Sequence, residues 1–299
     1  MKIRREWKRH WPYYVMIIPG VVWLILFKYI PLMGSVIAFQ NYSVFDGILG
    51  SEWVGLAQFK RLFQYPDFYR ILRNTLVFGG IQILIFPVSI VLALMLNEIS
   101  RNFLKKSIQT AIYIPHFLSW VVVGGLVFDF FGLNGIFNSI RSMLGMESIL
   151  VMQKETWYRG VYIFSKVWKE SGWGTVVYLA AISGIDPTLY ESATMDGAGR
   201  IQKMRYITIP MIIPTAMTLF LLRIGNFLEL GFDAAHNLMT PMTYSVADIF
   251  DTYVYRQGIL NAQYSFSTAV GVFQSVVGFL LLVTFNNLSK RYSEEGGLW

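Results

Sequence analysis

Long apolar runs, separated by short charged or Gly/Pro-rich breaks, organise the whole chain. Six windows stand out, at about 13–39, 72–96, 108–131, 160–182, 211–232 and 263–288. Crossing ~30 Å of hydrocarbon at a helical rise of ~1.5 Å takes roughly 20 apolar residues, and each window is of that order. Pro31 lies inside the first and Pro87 inside the second. A membrane helix tolerates both, because neighbouring groups satisfy the carbonyl each one frees. Lys166, Lys169 and Glu170 interrupt the first half of the fourth window. The pattern predicts an all-α membrane protein with six transmembrane helices: a transmembrane domain over 13–288, flanked by short tails at 1–12 and 289–299.

The breaks carry patterns of their own. Residues 40–71 interleave Trp53, Phe59, Phe63, Tyr65, Phe68 and Tyr69 with polar groups, as an amphipathic element at a membrane interface does. The breaks at 132–158 and 233–261 are long enough for short helices. Between 183 and 210, Asp186-Pro187 is a helix start, with a side chain that accepts from orphan amides and a Pro at the first helical position. A short helix is expected through Glu191, Ser192, Ala193 and Thr194. Gly197 and Gly199 then permit the turn that ends it, and a second short helix follows from Arg200 to Ile207, ahead of Pro210 and Pro214.

Composition and charge agree with a bilayer setting. The chain is 55% hydrophobic and 14% charged, with mean hydropathy +0.47, which is more apolar surface than one soluble core buries. Its net charge of +7 is distributed by topology. Lys2, Arg4, Arg5, Lys8 and Arg9 precede the first span; Arg101, Lys105 and Lys106 lie between the second and third; Arg200, Lys203 and Arg205 lie between the fourth and fifth; Lys290 and Arg291 follow the sixth. All fall on one side, which the positive-inside bias makes cytoplasmic, with both termini there. Nucleic-acid binding therefore loses its support. The basic start followed by an apolar run has the outline of a secretory signal, but the run is long and no small-residue cleavage site follows, so it is expected to remain as the first helix. With no Cys there is no disulfide, thiolate metal site or Cys nucleophile. His10, His116 and His236 are scattered without metal-ligand spacing, so neither a metal site nor a catalytic constellation is expected.

The segment Glu191-Ser192-Ala193, Asp196-Gly197-Ala198 and Ile207-Thr208-Ile209-Pro210 resembles the EAA loop of ABC importer permeases. That pattern reads Glu-Ala-Ala, then Gly, then Ile-x-Leu-Pro; here Ser192 replaces the first Ala and Ile209 the Leu, with the spacing kept. Trp53 to Phe59 with Asn74-Thr75 is similar to the segment before the second helix of MalF-type sugar permeases. Val246-Ala247-Asp248, Tyr255-Arg256, Tyr264-Ser265-Phe266, Val277-Gly278 and Gly297-Leu298-Trp299 resemble the LplB-like polysaccharide or oligosaccharide permeases. The resemblance implies a MalF-like, type I importer fold with cytoplasmic coupling helices. Glu191, Ser192, Ala193, Asp196, Gly197, Ile207 and Pro210 would form the element that docks into an ATPase subunit. It also implies a bacterial inner-membrane assembly with a second homologous permease, two ATPase subunits carrying ATP and Mg, and an extracellular solute-binding protein, with no cofactor on this chain.

A substrate path is sought where polar groups sit at membrane depth, since charges there cost roughly 2.5–3.5 kcal/mol each. On a continuous fifth helix, Arg223, Asn226, Glu229 and Asp233 share one stripe. That stripe is either a path or an interhelical contact. Tyr113 and Trp120 are weaker aromatic candidates, beside Asp129, Lys166 and Trp168. Arg223, Lys166 and Arg256 would suit a uronic-acid oligosaccharide, and the aromatics suit a neutral one equally. Gly271, Ser275 and Gly278 read as a helix-packing stripe. The absence of a Gly-x4-Gly-Lys-Ser/Thr loop excludes a fused P-loop ATPase. A self-contained secondary carrier would show inverted halves, and none is visible. A membrane enzyme acting on lipid-linked sugar would need an acid/base cluster, for which Asp248 and Asp251 are the nearest residues.

Overall fold

The computed structural model describes residues 2–292. Of the expected tail at 289–299, residues 293–299 with Gly297-Leu298-Trp299 lie outside the described residues, as do the side chains of 2–9 and 291–292, including Lys2, Arg4, Arg5, Lys8, Arg9 and Arg291. Two compact units are present: residues up to Tyr65 together with Val254–Phe273, and Pro66–Tyr253 together with the residues from Gln274 onward.

In the first unit, α1 (Lys2–Leu24) runs on through a π-helical turn at Ile25–Tyr29, Ile30–Met33 and a 3-10 turn at Gly34–Phe39. Pro31 accounts for the widened turn: it has no amide to donate and its ring crowds the carbonyl one turn back, and the extra residue of a π turn relieves both. The run His10–Phe39 is apolar enough to span a membrane. An antiparallel ribbon of β1 (Gln40–Asn41) and β2 (Glu52–Trp53) then stacks Trp53 on Phe39 at 5.7 Å. Next comes α2 (Ala57–Gln64), where Leu62 is buried while Lys60 and Gln64 are exposed. This is the amphipathic element expected from the 40–71 pattern. Arg61 ties it down by donating to Gln263 Oε1 at 2.9 Å and lying 4.7 Å over the Phe266 ring.

The second unit is a helical bundle. It contains α3 (Phe68–Asn97), α4 (Asn102–Phe117), α5 (Trp120–Phe131), α6 (Ile136–Met143), α7 (Glu155–Ser183), α8 (Pro187–Met195), α9 (Arg200–Lys203), α10 (Ile209–Gly225), α11 (Phe232–Leu238) and α12 (Phe250–Tyr255), together with the later part of α13 (Tyr264–Tyr292). At its centre α7 packs against α3, α4, α10 and α11. The core there includes Phe78 and Tyr162, with ring centroids 4.5 Å apart, and Tyr158. The α4 and α7 backbones meet at Gly172, where a Cβ would stand 2.2 Å from the Ile112 carbonyl oxygen. Gly278 plays the same part for α13 and α10, since its Cβ would lie 2.5 Å from the Gly225 carbonyl oxygen. The packing stripe is thus realised at Gly278 and not at Gly271, which has open space beside it, or at Ser275, which is exposed.

Three spans differ from expectation. The window 108–131 is two helices, α4 and α5, because Pro115 and Ser119 break it: the Leu118 amide turns back to the Pro115 carbonyl and Ser119 Oγ caps α5 by accepting from the Val122 amide at 3.3 Å. The window 211–232 stops at Gly225, so Asn226, Glu229 and Asp233 do not continue the face of α10 that holds Arg223. Among the described residues five helical runs are long and apolar enough to cross a membrane, where six were expected; α7, with Lys166, Lys169 and Glu170, is not among them. Gly172→Ala is expected to force α4 and α7 apart and to destabilise the bundle by about 1–3 kcal/mol. A detergent-solubilised variant with an unchanged melting temperature would contradict that contact.

Candidate functional site

Two regions present chemistry that packing alone does not use. The first is the α8–α9 loop. Asp186 Oδ1 accepts from the Thr188 amide at 2.9 Å, and this bond holds its carboxyl below the ordinary value of 3.8. The cap is therefore present at neutral pH and is lost only as pH falls through that lowered value. At the other end Ala198 N donates to Ala193 O and Gly197 N to Thr194 O, a Schellman closure that requires the left-handed φ of +78° found at Gly197. Lys203 Nζ reaches Thr194 Oγ1 at 2.6 Å and fastens α9 to α8. Tyr190 OH and Thr208 Oγ1 lie 2.9 Å apart, tying α8 to the π turn Met204–Thr208 that leads to Pro210.

Nothing in α8 is buried. Glu191, Ser192, Asp196 and Gly197 are exposed, Ala193 is half-buried, and the apolar side chains of Met195 and Ile201 are 89% and 79% exposed. Ile207 packs against the core around Ile182 and Ile212, and Pro210 opens α10. The loop is a rigid, capped projection with uncovered apolar groups at its tip.

The second region lies at mid-length of α7. Lys166, Lys169, Glu170 and Trp173 share one face because they are three or four residues apart. Glu170 pairs with Lys166 at 2.9 Å and with Arg223 of α10 at 3.9 Å. Lys166 also donates to the Leu230 carbonyl at 3.1 Å, and Arg223 to the Gln82 carbonyl of α3 at 3.1 Å. Lys169 donates to the His116 carbonyl at 2.8 Å, and its ammonium stands 5.6 Å from the Trp120 ring centre. Lys169, Glu170 and Arg223 border a cavity of about 400 Å³ whose wall also includes His116, Trp120 and Trp173. That volume is in the usual range for a small-molecule site, ~300–1,000 Å³.

The helix break after Gly225 belongs to the same region. Leu228 O accepts from Gln274 Nε2 at 3.0 Å, Leu230 O from Lys166, and Asp251 Oδ2 accepts from the Gly231 amide at 2.9 Å. Side chains thus replace the missing helical bonds, as irregular backbone at membrane depth requires. Asp251 also receives Gln274 Nε2 at 3.1 Å, while Asp248 is held by Arg70 at 3.7 Å and Thr252 at 2.8 Å. Both carboxylates are engaged in structure rather than gathered as an acid/base pair.

Of the residues sought from sequence, Arg223 and Trp120 reach the cavity wall. Asn226, Glu229 and Asp233 are exposed and lie off it, and Tyr113 is not part of it. His116, Lys169, Glu170 and Trp173 were missed. The signal for Lys169, Glu170 and Trp173 was present in the one-face spacing of charges and Trp in the fourth window; His116, in the third, carried none. Trp168 faces a separate apolar crevice with Phe130, Phe131 and Phe164.

Residues 85–294 match the family described as binding-protein-dependent transport system inner membrane component. The chain is 50% identical over 285 residues to the polygalacturonan/rhamnogalacturonan transport system permease protein YteP of Bacillus subtilis (strain 168), across 95% of this chain and 89% of that one. It is 45% identical to protein LplB of the same organism, across 95% and 90%. Among solved structures it is similar, with TM-score 0.89 and 39% identity over 98% of this chain and 100% of the other, to a chain of a bacterial ABC transporter involved in the import of the acidic polysaccharide alginate. A second crystal structure, of a bacterial alginate ABC transporter in complex with alginate pentasaccharide-bound periplasmic protein, gives the same score and identity over 98% of both chains. With more than half of the chain matched by the family and relatives half identical to it over nearly its whole length, this chain belongs to the inner membrane components of binding-protein-dependent transport systems.

Proposed function

We propose that this chain is the permease subunit of an ATP-driven importer for acidic oligosaccharides or polysaccharide fragments. The observation that carries the proposal is the wall at mid-length of α7, where Trp120 and Trp173 stand beside Lys169 and Arg223 around a cavity of about 400 Å³. Aromatic faces stack on sugar rings and buried cations meet carboxylates. The substrates named for the relatives YteP and the alginate importer support the acidic class. Arg223 and Trp120 then border the path, and α7 is the sixth crossing, its polar face turned away from lipid.

In this reading the chain works with a second, homologous permease, two ATPase subunits that bind ATP and Mg, and an extracellular solute-binding protein. Both termini and the α8–α9 loop are cytoplasmic, and no cofactor resides on this chain. The exposed helix α8 docks on an ATPase subunit through Glu191, Ser192 and Ala193. Asp186, Asp196 and Gly197 fix its ends, and Ile207 and Pro210 root it in α10. Rocking of the ATPase pair then moves α10, and with it one wall of the cavity.

Glu191→Lys reverses a charge on the docking helix and is expected to lower sugar-stimulated ATP hydrolysis by about tenfold or more, with membrane insertion normal. Hydrolysis and uptake that both persist in proteoliposomes would remove the coupling role from this loop. Uptake of a labelled uronyl oligosaccharide by the wild-type complex with its binding protein is expected to outrun uptake of a neutral oligosaccharide of equal length. Equal rates would leave the permease assignment in place and remove the acidic substrate class.

A further inference from the structure

The cations at mid-length of α7 are not equivalent. Glu170 is the carboxylate paired there, and it is committed to Lys166 at 2.9 Å and Arg223 at 3.9 Å. Those two cations also hold backbone: Lys166 the Leu230 carbonyl, Arg223 the Gln82 carbonyl. Lys169 is different. It is 7% exposed, and among the described residues no carboxylate lies within the 4.0 Å of an ion pair. An ammonium has three donors, and the His116 carbonyl accepts one. A buried charge without a counter-charge is expensive, and the protein keeps one here on the wall of a cavity.

Resting on the reading above, we infer that Lys169 and the Trp173–His116 pair form a uronyl subsite, in which Lys169 takes the carboxylate and the aromatic pair carries the pyranose ring. His116 and Trp173 are stacked with centroids 5.0 Å apart and planes at 10°. His116 braces the Trp173 ring by stacking on it, and Trp173 keeps 54% of its surface exposed, so its open side is a platform for a pyranose ring. His116 Nδ1 is buried and has no hydrogen-bond partner among the described residues. Trp120, 5.6 Å from the Lys169 ammonium, bounds the other side of the charge. A neutral pyranose meets the platform and leaves Lys169 unpaired; a uronyl residue satisfies both. Lys166 and Arg223 hold the bundle, and Lys169 reads the substrate.

The test uses the assembled complex of this permease, its partner permease and the two ATPase subunits in nanodiscs. The binding protein is omitted, so that its own selectivity does not enter. The probes are a tritiated galacturonyl trisaccharide and its carboxyl-reduced counterpart, which has the same length and no charge. A charge-assisted hydrogen bond to a buried group corresponds to roughly tenfold to hundredfold in affinity, so wild type is expected to retain the uronide at least about tenfold over the reduced sugar. Lys169→Met is expected to bring that ratio near one, and Lys169→Arg to keep most of it. Lys169→Gln repeats the measurement should the Met variant not assemble. A ratio unchanged in the neutral variants overturns the subsite. So does a wild type that holds neither probe here yet imports the uronide when the binding protein is supplied, and in that case the importer reading survives. A wild type that imports no saccharide even with the binding protein overturns both.

Discussion

Glu170 joins the central helix to its neighbour by accepting from Lys166 on its own helix and facing Arg223 on α10, and much of the second unit is arranged around that junction. Three charges at membrane depth are tolerable only when they satisfy one another and the backbone around them. Here Arg223 spends a donor on the α3 carbonyl of Gln82, and Lys166 spends one on Leu230, where the chain has left helical geometry. The ion triad therefore fixes α3, α7 and α10 together and also stabilises the break after Gly225. Such a pairing adds little net stability beyond what a well-packed apolar core of the same volume gives. What it adds is a defined pairing of α7 with α10 and a polar wall beside the cavity.

The α8–α9 projection rests on the opposite physics. Its stability is local: an Asp cap at one end, a glycine in the left-handed region at the other, and the Lys203 to Thr194 bond between them. None of α8 is fully buried, and Tyr190 is its tie to the bundle, through Thr208 and the core around Ile182 and Ile212. In the proposed coupling role, a preformed element of this kind would dock without the entropic cost of ordering itself first.

Legibility from sequence followed the same division. The α8–α9 loop was readable because capping chemistry is local, and Asp186-Pro187, Gly197 and Gly199 each report a backbone conformation within a few residues. The apolar runs were equally readable where hydropathy decides. It failed where side chains from distant segments override local preference. Met211 to Phe232 reads as one helix, because nothing within it reveals that Gln274 and Asp251 will take over the carbonyl of Leu228 and the amide of Gly231. The polar stripe drawn through Arg223, Asn226, Glu229 and Asp233 fell with that helix. The charges of the fourth window weakened it as a membrane span, yet Lys169, Glu170 and Trp173, on one face with Lys166, were part of the cavity wall. Read as a stripe instead of an interruption, they would have pointed to the site.

The two regions are also mechanically continuous. Arg200–Gly225 is a single helical run of 26 residues, with the docking loop at its start and Arg223 near its end. At ~1.5 Å per residue it is roughly 39 Å long, enough to carry a displacement from the membrane surface to the depth of the cavity. Its π turn at Met204–Thr208 sits immediately before Pro210, where the lost amide weakens the hydrogen-bond ladder and gives the run a place to bend. Beyond the bend the helix is anchored through Arg223 to both Glu170 and Gln82. A force applied at α8 therefore meets a compliant joint first and the charged junction last. The carboxylate that aligns the helices also lines the cavity, so in the proposed mechanism the charge balance beside the substrate and the position of the α8–α9 loop are linked through one helix.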